Sequence, residues 1–145
     1  MNKISEIELS YTNQSDQIIK VTSSLSAFEI LTDNWNPNTI ELQEEFKLLL
    51  LDRDNKVLGL YNLSKGGIAG TVVDVRLMMV VALKSKASAI ILAHNHPSGN
   101  MKPSAQDKTI TKKIMSACKF LDIDLLDHII LSNKKYYSFK DEDDI

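Results

Sequence analysis

Two histidines one residue apart, and an aspartate eleven positions past the second, are the residues of this chain best suited to chemistry: His94, His96 and Asp107. The stretch reads His94-Asn95-His96-Pro97-Ser98-Gly99-Asn100-Met101-Lys102-Pro103-Ser104-Ala105-Gln106-Asp107. Two imidazoles and one carboxylate make a three-ligand set for zinc, with the fourth position left to water. That is the arrangement of a catalytic metal rather than a structural one.

Three ligands need elements to hold them. Ser88 to His94 is an apolar run expected to form a central strand, with His94 at its carboxyl end. In extended backbone, residues i and i+2 point the same way, so both imidazoles can face one metal. Asn95 to Pro103 is a loop rich in Pro, Gly, Ser and Asn, and a helix is expected from about Ser104 to Leu121. Asp107 falls in its first turn, folded back over the strand end, which is where open α/β sheets place their sites. Blander readings stand beside this one. A histidine near a core strand is usually structural, and Ser104-x-x-Asp107 also matches a helix N-cap with an acidic residue at its third position.

The remaining pattern supplies the scaffold. Ile4 to Thr12 and Gln17 to Val21 read as two short strands, and Leu25 to Trp35 as a helix capped by Ser26 with Glu29. Phe46 to Asp52 reads as a strand buried on both faces, returning through Asp54-Asn55 into Val57 to Asn62. Gly66, Gly67 and Gly70 mark an irregular crossing, and Asp74 is a candidate cap for a helix from Val75 to Lys84. Leu125 to Leu131 and Lys135 to Phe139 read as a strand pair. Asp141 to Asp144 reads as a solvated acidic tail. The alternation of strands and helices argues an α/β fold.

With 145 residues the chain is expected to be one domain, and it is too short for a (β/α)8 barrel. Net charge is -2, with no basic excess to advertise a nucleic-acid partner. One cysteine, Cys118, rules out an internal disulfide framework and a cysteine-based zinc site, and its helix-face position makes it a core residue. There is no apolar run long enough to span a membrane and no secretory leader, so a cytoplasmic protein is expected. Several histidine families are excluded. Zinc nucleobase deaminases need later cysteines, and metallo-β-lactamase-type sites want an aspartate where Ser98 stands. The HNH nucleases spread their residues over a ββα unit.

These residues resemble the JAMM (MPN+/JAB) metallopeptidase motif, a distant Glu followed by His-x-His-x7-Ser-x2-Asp. From His94, every spacing through His96, Ser104 and Asp107 matches. Within that superfamily, His-Asn-His-Pro-Ser-Gly is similar to the bacterial RadC proteins, as are Leu126-Asp127-His128 and Tyr137-Ser138-Phe139. The similarity covers about residues 40 to 140. It implies a mixed β-sheet flanked by helices, with cytidine-deaminase-like layering. It also implies a stand-alone RadC-like domain over 1–145, with residues 1–40 as an extension packed on it and 140–145 as a tail.

The resemblance further implies a zinc peptidase or isopeptidase. Zn2+ held by His94, His96 and Asp107 would lower the pKa of its water to about 7. A remote Glu would act as general base. The family's Glu-x-Phe pattern selects Glu44, with Glu45 and then Glu41 as alternatives; a one-residue slip turns a strand side chain to the opposite face. Ser104 would hydrogen-bond the developing oxyanion. The second nitrogen of each histidine needs an outer acceptor that the sequence does not identify.

Other residues have simpler expected roles. His128 is read as structural or as an outer partner of the ligands. Arg76 matches an arginine position in RadC-like proteins and has no assigned role. Asn95, Ser98 and Gly99 are candidates for shaping a substrate loop, or merely its turn. Lys108, Lys112, Lys113 and Lys119 read as a solvated face. The substrate implied is a peptide or protein conjugate. The rival functions are a DNA-associated repair protein, weakened by the charge and few aromatics, and a zinc-holding binding module without turnover.

Overall fold

The computed structural model describes residues 1–66 and 72–145, and the most apolar runs become its central strands. β1 (Glu45–Leu51) and β3 (Ala89–Asn95) are buried along their whole lengths. Runs with few polar breaks suit strands covered on both faces. β1 turns at Asp52–Lys56 into β2 (Val57–Lys65). There the Asp52 carboxylate accepts from the backbone N–H of Asp54 at 2.8 Å and of Lys56 at 2.9 Å. Asn55 takes a φ of 59°, a conformation that asparagine tolerates better than most residues.

β4 (Asp124–Leu131) and β5 (Tyr136–Ser138) complete a five-stranded sheet of order β2-β1-β3-β4-β5. β3 and β4 are parallel and every other neighbouring pair is antiparallel. A parallel pair needs a crossover, and the helix over Ala105–Phe120 supplies it. The first helix, α1 (Ser24–Asp33), covers one face of the sheet. Helices α2 (Val75–Lys84) and α3 (Ala105–Phe120) cover the other. Side chains alternate between these layers. Leu49, Leu51, Ile91 and Ala93 pack with Leu31 and Trp35. Leu48, Leu50, Ile90 and Leu92 pack with Met78, Ile114 and Cys118. The mixed α/β sheet between helices is the architecture expected of a JAB/MPN domain.

Local signals place α2 and α3 well. Asp74 caps α2 by accepting from the Leu77 N–H at 3.1 Å. Ser104 caps α3. At α1 the cap differs: Ser23, not Ser26, is the N-cap, and Ser26 is the third helical residue of the capping box. Ser23 and Ser26 are chemically equivalent candidates, so the sequence alone left the register of the cap open.

The two N-terminal strands do not form. Residues 1–18 carry no regular structure and are exposed, with Ile4, Ile7 and Leu9 at 89%, 83% and 76% exposure. Just past it, Lys20 forms an isolated bridge with Lys56, beside β2. Alternation of apolar residues is not sufficient for a strand that has no ladder to join. The acidic tail departs from a purely solvated reading. Asp141 accepts from Ser24 Oγ at 2.5 Å, Asp144 accepts from the Tyr137 hydroxyl, and Lys108 lies 3.6 Å from Asp144. Gly67 and Gly70 lie outside the described residues.

Deleting residues 1–10 is expected to change the unfolding free energy by less than about 0.5 kcal/mol. Ile114→Ala, at a position 0% exposed between α3 and the sheet, is expected to cost about 2–5 kcal/mol. Urea titration of the two variants checks both.

Candidate metal centre

Strand parity decides which groups meet at the end of β3. His94 is the last-but-one residue of β3, and His96 follows the strand, taking its N–H to the Leu131 carbonyl at 3.2 Å. Both imidazoles reach the α3 side, and their Nε2 atoms lie 3.0 Å apart. Asp107 arrives from the first turn of α3. Its Oδ1 is 3.3 Å from His94 Nε2 and its Oδ2 is 3.4 Å from His96 Nε2. Glu44, immediately before β1, places Oε1 3.8 Å from His96 Nε2. Glu44, His94 and His96 each offer a ligand atom within 4.8 Å of the other two.

The helix cap aims the aspartate. Ser104 Oγ accepts from the Asp107 N–H at 3.0 Å, while Asp107 Oδ2 accepts from the Ser104 N–H at 2.8 Å. This is a reciprocal capping box with Asp in the third position. The cap thereby turns the Asp107 carboxylate toward the two histidines. Ser104 is exposed, and the bond its hydroxyl oxygen accepts leaves its single proton available to a ligand.

The three acids considered from sequence go to different places. Glu45 turns to the opposite face of β1, where its Oε1 meets Lys65 Nζ at 3.3 Å. Glu41 accepts from Asn133 Nδ2 at 2.5 Å. Of the three, Glu44 faces the histidines.

Asn95, between the two histidines, does more than shape a turn. It is 0% exposed and points to the other side of the strand. Its Oδ1 accepts from the Glu45 N–H at 2.7 Å, and its Nδ2 donates to the carbonyls of Ile40 at 2.7 Å and Gln43 at 2.8 Å. Glu44 is thus bracketed on both sides by one amide. Its own carbonyl accepts from Gly66 N–H at 2.9 Å. Sequence reasoning missed this role because the partners lie some 50 residues upstream. Parity was the available signal: the middle residue of His-x-His must face away from the metal.

Each histidine has an outer partner. His96 Nδ1 lies 2.6 Å from the Asn100 carbonyl. A carbonyl only accepts, so Nδ1 carries the proton and Nε2 of the neutral ring presents a lone pair. His94 Nδ1 lies 2.7 Å from Nε2 of His128, the residue read from sequence as structural or as an outer partner. Phe46 stacks on His94 at 5.6 Å between centroids and closes the inner side. Two imidazole nitrogens with carboxylate oxygens on either hand are a donor set that fits zinc.

The electrostatics agree. Burial pushes the Asp107 carboxyl up, but the His94 and His96 imidazoles beside it, when they carry a second proton, and the Ser104 N–H hold it well below the usual carboxylate range. Burial lowers the His96 pKa, but Asp107, the Asn100 carbonyl and Glu44 together raise it above its ordinary value. Burial pushes His128 well below its ordinary value, which keeps it neutral. Of the lysines on α3, Lys112, Lys113 and Lys119 are exposed, as a solvated face requires. Cys118 is buried in the core.

Two outcomes follow. In the metal-free protein, the raised His96 contributes stability that is fully present below the ordinary histidine pKa of 6.5 and lost as pH rises through its folded value. The depressed Asp107 contributes stability present above the ordinary carboxyl pKa of 3.8 and lost as pH falls through its folded value. Metal-free Tm is therefore expected to be highest between those limits, while the Tm increment from added zinc grows with pH, because the metal must displace a proton. Calorimetry across pH, with and without zinc, checks this. Asn95→Ala is expected to cost about 3 kcal/mol, since it strands a buried N–H and two carbonyls. Chemical denaturation measures that loss.

Comparison with known proteins accords with this geometry. The RadC-like JAB domain family matches residues 16–144. A UPF0758 protein of Flavobacterium johnsoniae is 48% identical over 143 residues, covering 96% of this chain and 61% of its own. One from Porphyromonas gingivalis is 48% identical over 101 residues, covering 69% of this chain and 44% of its own. The UPF0758 protein YfjY of Escherichia coli is 42% identical over 97 residues, covering 67% of this chain and 61% of its own. This chain spans less than two thirds of the length of each. Among the described residues no helix is long and apolar enough to cross a membrane. With a family match that runs through almost all of the chain and relatives at 42–48% identity, the chain belongs to the RadC-like JAB domain family.

Proposed function

We propose that this chain is a zinc-dependent hydrolase that cleaves a peptide or isopeptide bond. The observation that carries the reading is the convergence of His94, His96, Asp107 and Glu44 within hydrogen-bonding or near-bonding distance at one strand end. The related metalloisopeptidase motif supplies the reaction class.

His94 and His96 would hold the metal through Nε2, and Asp107 through the carboxylate that lies nearest both nitrogens. When bound, zinc supplies Lewis acidity and brings the pKa of a water to about 7. Glu44 stands slightly farther off, on the His96 side. It takes a proton from the attacking water and returns it to the departing nitrogen as the carbon–nitrogen bond breaks. The Ser104 hydroxyl donates to the oxygen that gains charge in the tetrahedral transition state. Phe46 and the buried His128 ring keep bulk water from the inner side of the ligands. The substrate is an amide in a peptide or a lysine-linked protein conjugate.

His94→Ala is expected to abolish zinc uptake, measured by metal analysis of purified protein. Glu44→Gln is expected to keep zinc affinity within about threefold while cleavage of a peptide and isopeptide library falls by about 10²–10⁴. Wild-type protein that binds zinc and cleaves nothing in the library would leave a metal-holding binding module. Loss of zinc in Glu44→Gln would make Glu44 a ligand instead of a base.

A further inference from the structure

The hydrogen bond between His94 Nδ1 and His128 Nε2 has one proton and two candidate owners. The choice matters to the site. If His128 donates, the neutral His94 ring carries its proton on Nε2 and blocks the position that faces Asp107 and His96. If His94 donates, Nε2 presents a lone pair.

The owner can be traced through the next two bonds. Thr111 lies one turn along α3 from Asp107, and its Oγ1 is 2.6 Å from the Asp107 carbonyl oxygen. A carbonyl cannot donate, so the Thr111 hydroxyl spends its only proton there. The same Oγ1 is 2.7 Å from His128 Nδ1. With its proton committed, Thr111 can only accept, so His128 carries its proton on Nδ1. The reverse order would set the Thr111 and Asp107 oxygens 2.6 Å apart with no hydrogen between them. His128 is 0% exposed, and its ring nitrogens meet only His94 and Thr111 among the described residues. As a neutral ring it has one proton, on Nδ1. Its Nε2 therefore accepts, and His94 must donate.

We propose that Thr111 and His128 are positioning residues that set the tautomer of His94 and so turn its Nε2 lone pair toward the metal. The series is a closed loop. It starts at the main-chain carbonyl of Asp107 and runs through Thr111, His128 and His94 to the point that the Asp107 carboxylate also faces. One helical turn thereby fixes both a carboxylate ligand, through the Ser104 cap, and the proton of a histidine ligand 13 residues before it in sequence. All four residues are held on rigid elements: β3, β4 and α3. The proposal rests on the reading of His94, His96 and Asp107 as metal ligands.

The test uses metal-free full-length protein labelled with 15N in its histidines. Long-range proton–nitrogen correlation spectra report which ring nitrogen is protonated. Wild type is expected to show His94 and His128 protonated on Nδ1, with a bare Nε2 on each. Zinc is then titrated against a competing chelator. Thr111→Val keeps the side-chain shape and removes the hydroxyl. It is expected to mix the His94 tautomers and weaken zinc binding about 10–100-fold, with the amide spectrum otherwise unchanged. Thr111→Ser is expected to restore both readings. A wild-type His94 protonated on Nε2 overturns the proposal without any variant. So does a Thr111→Val protein with unaltered tautomers and zinc affinity within threefold of wild type. A wild type with the expected tautomers that takes up no zinc overturns the metal-site reading instead, and with it the delivery of the lone pair.

Discussion

Two ring nitrogens that both present lone pairs do not rest 3.0 Å apart unless a cation lies between or beside them. That repulsion is the constraint around which this end of the molecule is organised. Asp107 and Glu44 bring negative charge to the same spot, so the site as a whole is short of positive charge. In the metal-free protein a proton on His96 partly answers the shortage, as its raised pKa records. A divalent ion answers it more fully. The outer nitrogens cannot relieve the crowding, because they are already engaged by Asn100 and His128.

The backbone makes this crowding possible through alternation. β3 is paired on both sides, antiparallel to β1 and parallel to β4, so it cannot rotate away. One side chain in two must face α3, and those are the histidines. The other must face the α1 layer, and that is Asn95. The cost of placing a charged carboxylate near the end of a buried strand is offset locally. Asp107 receives the Ser104 N–H and sits at the positive end of α3.

Much of this was legible in the residues. The apolar runs marked β1 and β3, the turn residues marked the Asp52–Lys56 reversal, and Asp74 and Ser104 marked two helix starts. The spacing of His94, His96, Ser104 and Asp107 pointed to one site because all four lie within a single strand–loop–helix unit. What escaped was nonlocal or degenerate. The bond from His128 to His94 spans 34 residues, and the brackets of Asn95 span about 50. The Glu-x-Phe pattern had already favoured Glu44 over Glu45, and the pleat turns Glu44 toward the histidines and Glu45 toward Lys65. The alternation of Ile7, Leu9 and Tyr11 imitates a strand, yet a strand exists only when a neighbour takes its hydrogen bonds. Tyr11 touches β2 through its side-chain hydroxyl, which donates to the Leu58 carbonyl, and that is not a ladder bond.

The amide of Asn95 has a consequence for anyone who would copy this centre onto another sheet. A pair of histidines two apart on a strand is easy to transplant, and so is a nearby acid. Such a copy would lack the side chain that offers one acceptor and two donors toward the segment carrying the carboxylate of Glu44. Aspartate has no N–H to give, and glutamine is longer by a methylene. The middle letter of His-x-His is therefore as constrained as its neighbours, for reasons that lie behind the sheet and not in the pocket.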